Sequence, residues 1–213
     1  QARAIGPAGA LRFDAKLALE RTVVAGNRLG GADLQIQGTY GRELAVSGAV
    51  SARQVQTAVA TVDEFSTPFA YRAPAAKPGA GSLNLAAIAV RMGKGGLAGK
   101  ASFAPGTKRY TVDLKSAGMT VGLLQALDPE SVSAIPPDTT VALELTGAGT
   151  IKAPKADARV DLGAFRHQDL LLGASTLQAK LDGKQLGIDG KLFGDQAALT
   201  GRIPLGPGRG QVG

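Results

Sequence analysis

Alternation of apolar and polar residues runs through most of this chain and constrains its fold more than any other feature. Between Leu11 and Glu20, every second residue is apolar, and Arg12, Asp14 and Lys16 occupy positions between them. Because successive side chains of a β-strand point to opposite faces, the pattern predicts strands with one apolar and one polar face. Helical periodicity is nearly absent, so we expect an all-β protein.

The alternating segment recurs about a dozen times along the 213 residues, as predicted strands of roughly five to ten residues. Short turns separate the segments, and the 30 Gly residues amount to about twice the average usage of ~7%. Hairpin-sized units of similar layout begin at Leu29 and Leu172, and another spans 82–103. Repetition of one hairpin predicts an elongated, open-ended antiparallel β structure.

Two segments interrupt this rhythm. Residues 68–81 contain three Pro and two Gly, which predicts a loop between one β segment at 1–67 and another at 82–205. Residues 121–127 (VGLLQAL), followed by Asp128-Pro129, predict one short helix, and 131–140 predict a further loop. We expect 206–213 to form a tail, and the chain to be a fragment of a longer protein.

Composition excludes several classes of function. The chain has no Cys, which excludes disulfides and thiolate metal sites. The net charge of +7 favours anionic partners, yet the Lys and Arg residues are scattered singly, without interleaved aromatic residues. We therefore predict no nucleic-acid partner. No run of 18 apolar residues is present, so no membrane-spanning helix is predicted within this sequence.

Motifs for catalysis are equally scarce. His167 is the only His, no G-x-S-x-G motif accompanies it, and no set of metal ligands is apparent. The sequence GKGGLA at 93–98 matches a dinucleotide-binding pattern, but strand-like flanks favour a hairpin turn. Asp182, Asp189 and Asp195 lie near predicted turns, where Asp is common. We expect no enzyme, catalytic residue, metal or cofactor.

The predicted apolar face must be covered by something other than water, since its burial contributes about 25 cal/mol per Å². A second sheet, as in a sandwich, or lipid acyl chains are both open alternatives, whereas one short helix covers too little. Leu, Val, Ile, Ala and Gly dominate this face, and an aliphatic lining favours acyl chains. The candidate lining residues are Leu11, Phe13, Leu17, Leu34, Ile36, Leu44, Val46, Val112, Leu114, Val141, Leu143, Leu186, Ile188, Leu192, Leu199 and Ile203.

The segment 110–162 and the stretch 172–193 resemble a known family. An alternating strand is followed by a short helix and loop, a strand ending in "L.G.G", and a "P.A" turn into the next strand. The residues that carry this order are Leu123, Leu124, Leu127, Pro129, Leu145, Gly147, Gly149, Pro154 and Ala156. In this order the chain resembles the AsmA-like proteins of Gram-negative envelopes, a group that includes TamB.

The resemblance implies an elongated, curved antiparallel β-groove, shaped like a taco, which extends through the periplasm from an inner-membrane anchor absent here. It implies conduction of phospholipids between the inner and outer membranes, with acyl chains as the bound partner. Some members of the family are associated with outer-membrane protein assembly. The alternative function is therefore a scaffold whose open sheet edges pair with strands of an outer-membrane protein.

Overall fold

The computed structural model describes residues 1–7, 10–24, 27–56, 61–125 and 134–205. They form fifteen β-strands, one short α-helix and a 3-10 helix at Pro78–Ala80. The strands are β1 Ala2–Ile5, β2 Leu11–Val24, β3 Asn27–Tyr40, β4 Glu43–Gln56, β5 Thr61–Pro74, β6 Ser82–Met92, β7 Gly95–Ala104, β8 Arg109–Ala117, β9 Met119–Thr120, β10 Thr140–Thr150, β11 Ala153–Leu162, β12 Phe165–His167, β13 Leu170–Asp182, β14 Gln185–Phe193 and β15 Ala197–Pro204.

The strands build one open antiparallel sheet in which neighbours are consecutive along the chain except at the two short strands β9 and β12. The order is β1-β2-β3-β4-β5-β6-β7-β8-β10-β11-β13-β14-β15, while β9 pairs with β10 and β12 with β13. The sheet does not close into a barrel, since β1 and β15 lie at its opposite ends. The expectation of an elongated antiparallel fold built from hairpins, with one short helix, is confirmed.

Several strands are longer than the sequence predicted, and the predicted loop at 68–81 is wrong in its first half. Strand β5 continues through Pro68 to Pro74, so the connection to β6 covers only 75–81. The regular pairing between β5 and β6 is interrupted between Ser66 and Phe69. Pro68 is tolerated there because a residue without a backbone N–H gives up no inter-strand hydrogen bond. The predicted tail at 206–213 lies outside the described residues.

The helix α1, Val121–Gln125, confirms the helix prediction as far as Gln125, and residues 126–127 lie outside the described part. The backbone N–H of Val121 donates to the Thr139 carbonyl at 2.9 Å, which ties α1 to the segment before β10. Val121 is 1% exposed, and Met119, Val141 and Phe165 are also buried. Apart from Ala73, these are the only buried apolar residues of the described chain, so the sheet has almost no conventional core.

Close packing of glycine against neighbouring strands gives a test of the fold. A Cβ at Gly48 would lie 2.0 Å from the Gln35 carbonyl oxygen and 2.8 Å from Cζ of Phe69. We expect Gly48→Val to lower the free energy of unfolding by about 1–3 kcal/mol, because the Gln35 backbone cannot move away from the new side chain without strain. Urea denaturation followed by circular dichroism measures the change.

The matched control is Gly201→Val, where a Cβ would meet no atom within 4 Å. Its free energy of unfolding should stay within about 0.5 kcal/mol of the wild type. An equal loss of stability in both variants would contradict the strand register described for β3, β4 and β5.

Candidate functional site: an apolar face of the sheet

One transverse row of the sheet contains a single residue from each of the thirteen strands in the main path, and no member is polar. The pairing registers connect these residues in line from β1 to β15. The row is Ala2, Ala15, Ile36, Gly48, Phe69, Leu85, Ala101, Val112, Gly147, Ala156, Leu181, Leu186 and Ile203. We call the side of the sheet that bears this row the apolar face.

The neighbouring row points to the other side, which we call the polar face. Its members are Arg3, Asp14, Gln37, Ser47, Ala70, Asn84, Ser102, Thr111, Ala148, Lys155, Asp182, Gln185 and Pro204. Ten of these thirteen residues are polar or charged. Two adjacent rows with opposite character, kept across the whole sheet, mean that the register sorts the residues by polarity.

All sixteen candidate lining residues lie on the apolar face. Leu17 pairs with Leu34, Val112 with Gly147, and Leu186 with Ile203, and alternation along each strand places the remaining candidates on the same side. Other residues of this face were not among the candidates, although the same alternation marks them. They include Phe65, Phe69, Leu83, Leu85, Ile88, Val90, Leu97, Leu145, Val160, Leu177 and Leu181.

The apolar face is largely uncovered in the described chain. Leu17, Leu199 and Ile203 are 53%, 46% and 48% exposed, and most other large side chains on this face are half-buried. The described strands contact their neighbours within the sheet, while α1 approaches β9. Among the apolar side chains that the described main-path strands place on this face, only Val141 and Ala73 are buried, Val141 in the small cluster with Val121 and Met119. The hydroxyl-bearing residues Thr67 and Ser175 on this face are also buried.

Three Ser and Thr hydroxyl groups on the apolar face are bonded to the backbone. Oγ of Ser116 accepts from the N–H of Leu143 at 2.7 Å, and Oγ of Ser175 accepts from Phe193 at 2.9 Å. Thr67 donates to the Pro68 carbonyl at 3.1 Å. These bonds satisfy the polar atoms within the protein, so the hydroxyl groups add little polar character to the face.

Ion pairs connect neighbouring strands on the polar face. Lys100 lies 3.7 Å from Asp113, Lys115 lies 3.1 Å from Glu144, and Lys155 lies 3.0 Å from Asp182. Each exposed pair contributes about 0–1 kcal/mol to stability. Their larger effect is on register, because a shift by one residue would place these charges on the apolar face.

A hydrogen-bonded cluster of charged groups also lies on the polar face. Nε of Arg159 donates to Asp161 at 2.7 Å, and Oγ1 of Thr176 donates to it at 2.6 Å. Both bonds stabilise the ionised carboxylate, so they lower the pKa of Asp161, and the carboxylate raises the pKa of Arg159. This cluster connects β11 with β13.

His167 ends the short strand β12 and is exposed. Its Nδ1 lies 3.2 Å from the carbonyl oxygen of Ala134, which can only accept, so Nδ1 donates. Among the described residues, no group of three or more His, Asp or Glu side chains could hold a metal ion. In the same residues, no helix is long and apolar enough to cross a membrane.

The pKa of Asp161 provides a test of the polar-face geometry. We expect Arg159→Gln to raise that pKa toward its ordinary value of 3.8, measured by NMR titration of the carboxyl carbon. Because the pKa of Asp161 is lower in the folded than in the unfolded state, the ionised carboxylate stabilises the fold at pH values above the unfolded pKa. This stabilisation is lost as the pH falls through the folded pKa. The variant should therefore lose less stability than the wild type below about pH 4.

Lys180→Gln is the control, since Lys180 pairs with Asp157 and leaves the Arg159–Asp161 bonds in place. The pKa of Asp161 should be the same in this variant as in the wild type. An unchanged pKa in Arg159→Gln would show that the hydrogen bonds from Arg159 are absent in solution.

Comparisons with family models, curated proteins and solved structures gave no match to this chain.

Proposed function

We propose that this chain is a segment of a lipid-conducting β-groove, in which acyl chains lie on the apolar face while headgroups remain in water. The observation that carries the proposal is the row of thirteen apolar or Gly residues, one from each strand, without a covering layer in the described chain. At about 4.8 Å per strand, this row extends over roughly 58 Å.

An uncovered apolar surface of this extent needs a partner. Monomeric soluble proteins rarely expose contiguous apolar patches larger than a few hundred Å², and larger patches mark binding surfaces. Each buried CH2 group contributes about 0.8 kcal/mol, so a long hydrocarbon chain gains substantial free energy on such a surface. The apolar face therefore favours a hydrophobic occupant.

The chemistry of the face favours acyl chains over a ligand of fixed shape. Sites for small molecules use a few well-placed polar groups to orient the ligand. Here the hydroxyl groups of Ser116 and Ser175 are bonded to the backbone. Aliphatic side chains repeated from strand to strand offer similar surroundings at each step, so a hydrocarbon chain can move along the row without a specific bond to break.

The resemblance to AsmA-like proteins gives the proposal its cellular setting. In this setting the full-length protein is anchored in the inner membrane of a Gram-negative bacterium and extends through the periplasm. The segment conducts phospholipids between the inner and outer membranes by solvation of their chains, without a covalent step, cofactor or metal.

Adjacent residues of β2 provide a sharp test. Leu17 is on the apolar face and 53% exposed, while Ala18 is exposed on the polar face. We expect Leu17→Asp to lower co-purified phospholipid at least severalfold, because a carboxylate on the lipid path must be desolvated. Organic extraction and mass spectrometry of the folded protein measure the bound lipid.

Ala18→Asp is the matched control and should retain wild-type lipid, since it adds the same charge to the polar face. Circular dichroism establishes that both variants fold. Equal lipid content in the two folded variants would rule out the apolar face as the binding surface.

A second pair tests the other end of the sheet. Ile188 on the apolar face is half-buried, and its neighbour Asp189 is exposed on the polar face. We expect Ile188→Asp to block transfer of fluorescent phospholipid between vesicles by the full-length protein, while Asp189→Asn transfers lipid at the wild-type rate. Unimpaired transfer by a folded Ile188→Asp variant would contradict the proposal.

The edge strand β15 favours a second candidate function, a scaffold for outer-membrane proteins. All eight residues of Ala197–Pro204 are exposed, and β15 pairs only with β14 in the described sheet. Unpaired backbone groups at such an edge can add a strand from another protein. A lipid-free protein that binds a purified outer-membrane barrel protein, and loses this binding when 197–213 is deleted, would favour the scaffold.

A further inference from the structure

Five consecutive hairpin connections, from β3–β4 to β13–β14, follow one another along one long edge of the sheet, and each contains a single cationic residue. The β1–β2 connection, next to them at the same edge, contains none. The connections are 41–42, 75–81, 105–108, 151–152 and 183–184. Their cationic residues are Arg42, Lys77, Lys108, Lys152 and Lys184. We call this line of five residues the basic edge.

The five connections carry positive charge without acidic residues, in contrast to the opposite edge. Described residues at the opposite edge include Lys94 and Arg166 together with Asp138, Asp169 and Asp195. All members of the basic edge are exposed. None of them takes part in an ion pair within the described chain, in contrast to Lys100, Lys115 and Lys155 on the polar face.

The backbone holds the basic edge in line. In an antiparallel sheet the connections at one edge recur every second strand, so neighbouring cationic residues are spaced by about 10 Å and the line extends over about 38 Å. The N–H of Ala75 donates to the Arg42 carbonyl at 3.0 Å, and the N–H of Ile151 donates to the Lys108 carbonyl at 3.1 Å. These bonds join one turn to the next.

Aromatic side chains lie between the basic edge and the aliphatic part of the apolar face. All three Tyr residues of the chain are in this position: Tyr40 ends β3, Tyr71 pairs with Leu83, and Tyr110 pairs with Phe103. The Tyr71 hydroxyl donates to the Pro78 carbonyl in the turn of Lys77. The order aliphatic, aromatic, cationic is that of protein surfaces at a membrane–water interface.

We propose that the basic edge binds the phosphate headgroups of lipids whose acyl chains lie on the apolar face, an inference that rests on the proposed function. Each lipid then has one orientation across the sheet, with its headgroup at the basic edge and its chains directed toward the opposite edge. A headgroup that moves along the groove leaves one cationic residue as it approaches the next, about 10 Å away.

The continuity of the basic edge with the apolar face favours a lipid bound in the groove over an extended bilayer. A lipid with its chains on the apolar face passes the tyrosine row, and its phosphate then lies level with the turns. A bilayer that contacts only the turns would leave the aliphatic rows uncovered.

The test compares two variants of equal net charge. The edge variant is Arg42→Gln, Lys77→Gln, Lys108→Gln, Lys152→Gln and Lys184→Gln together. The control variant is Arg3→Gln, Lys16→Gln, Lys94→Gln, Arg166→Gln and Arg202→Gln together. These five cationic residues are exposed, lie on the polar face or at the opposite edge, and take part in no ion pair of the described chain. Both variants reduce the net charge of +7 by five, to +2.

Delipidated protein is titrated with phosphatidylglycerol and with diacylglycerol that carry identical fluorescent chains, at concentrations where both are monomeric. We expect the wild type and the control variant to bind phosphatidylglycerol roughly three- to tenfold more tightly than diacylglycerol at low salt. The edge variant should bind both lipids about equally, at the affinity that the wild type has for diacylglycerol. High salt should reduce the preference in the wild type.

Three outcomes would overturn the inference. If the edge variant keeps the preference for phosphatidylglycerol, other residues bind the headgroup. If millimolar glycerol 3-phosphate displaces the lipid from the wild type, free phosphate is the ligand. If the edge variant pellets more weakly than the wild type with phosphatidylglycerol vesicles but keeps the preference for monomeric phosphatidylglycerol, the basic edge binds a membrane surface instead. Failure of the wild type to bind either lipid is distinct, because it overturns the proposed function as well.

Discussion

The hydrogen-bonded register between neighbouring strands is the constraint on which the rest of this structure depends. Few side chains are buried, so the ladder, rather than a packed core, determines where each residue lies. Side chains alternate with a period of two, and a shift by one residue would exchange the two faces of a strand. The row from Ala2 to Ile203 stays apolar over thirteen strands only because each pairing keeps its register.

The bulges show how this register tolerates irregular sequence. Strand β6 has one more residue than β5 in the segment that faces Ser66 to Phe69. It also has one more residue than β7 between Leu85 and Ile88. Leu85 and Ile88 consequently both face the apolar side, although three positions separate them. A strict reading of alternation in SLNLAAIAVRM would place them on opposite faces. Bulges bend and twist the strand in which they occur, which helps a wide sheet to curve.

Sequence alone predicted the all-β class and the members of the apolar face that it named, because period-two alternation is a local signal. It placed a loop at Pro68, since the interruption of the β6 ladder that tolerates this residue depends on pairing between strands. The basic edge was also missed. Gly41-Arg42 and Gly183-Lys184 are far apart in the chain, and only the order of strands brings their turns to one edge.

A sheet with one uncovered apolar face couples its stability to its occupant. A packed domain gains its hydrophobic free energy from its own side chains, whereas here Leu17, Leu199 and Ile203 stay largely exposed when the chain folds. In the proposed groove, lipid replaces the missing layer, and a ligand that binds only the folded state stabilises it by mass action. Bound lipid is then a structural component as well as cargo. Because the aliphatic rows differ little from strand to strand, this stabilisation changes little as the lipid moves, which is the condition for movement along the groove without a deep trap.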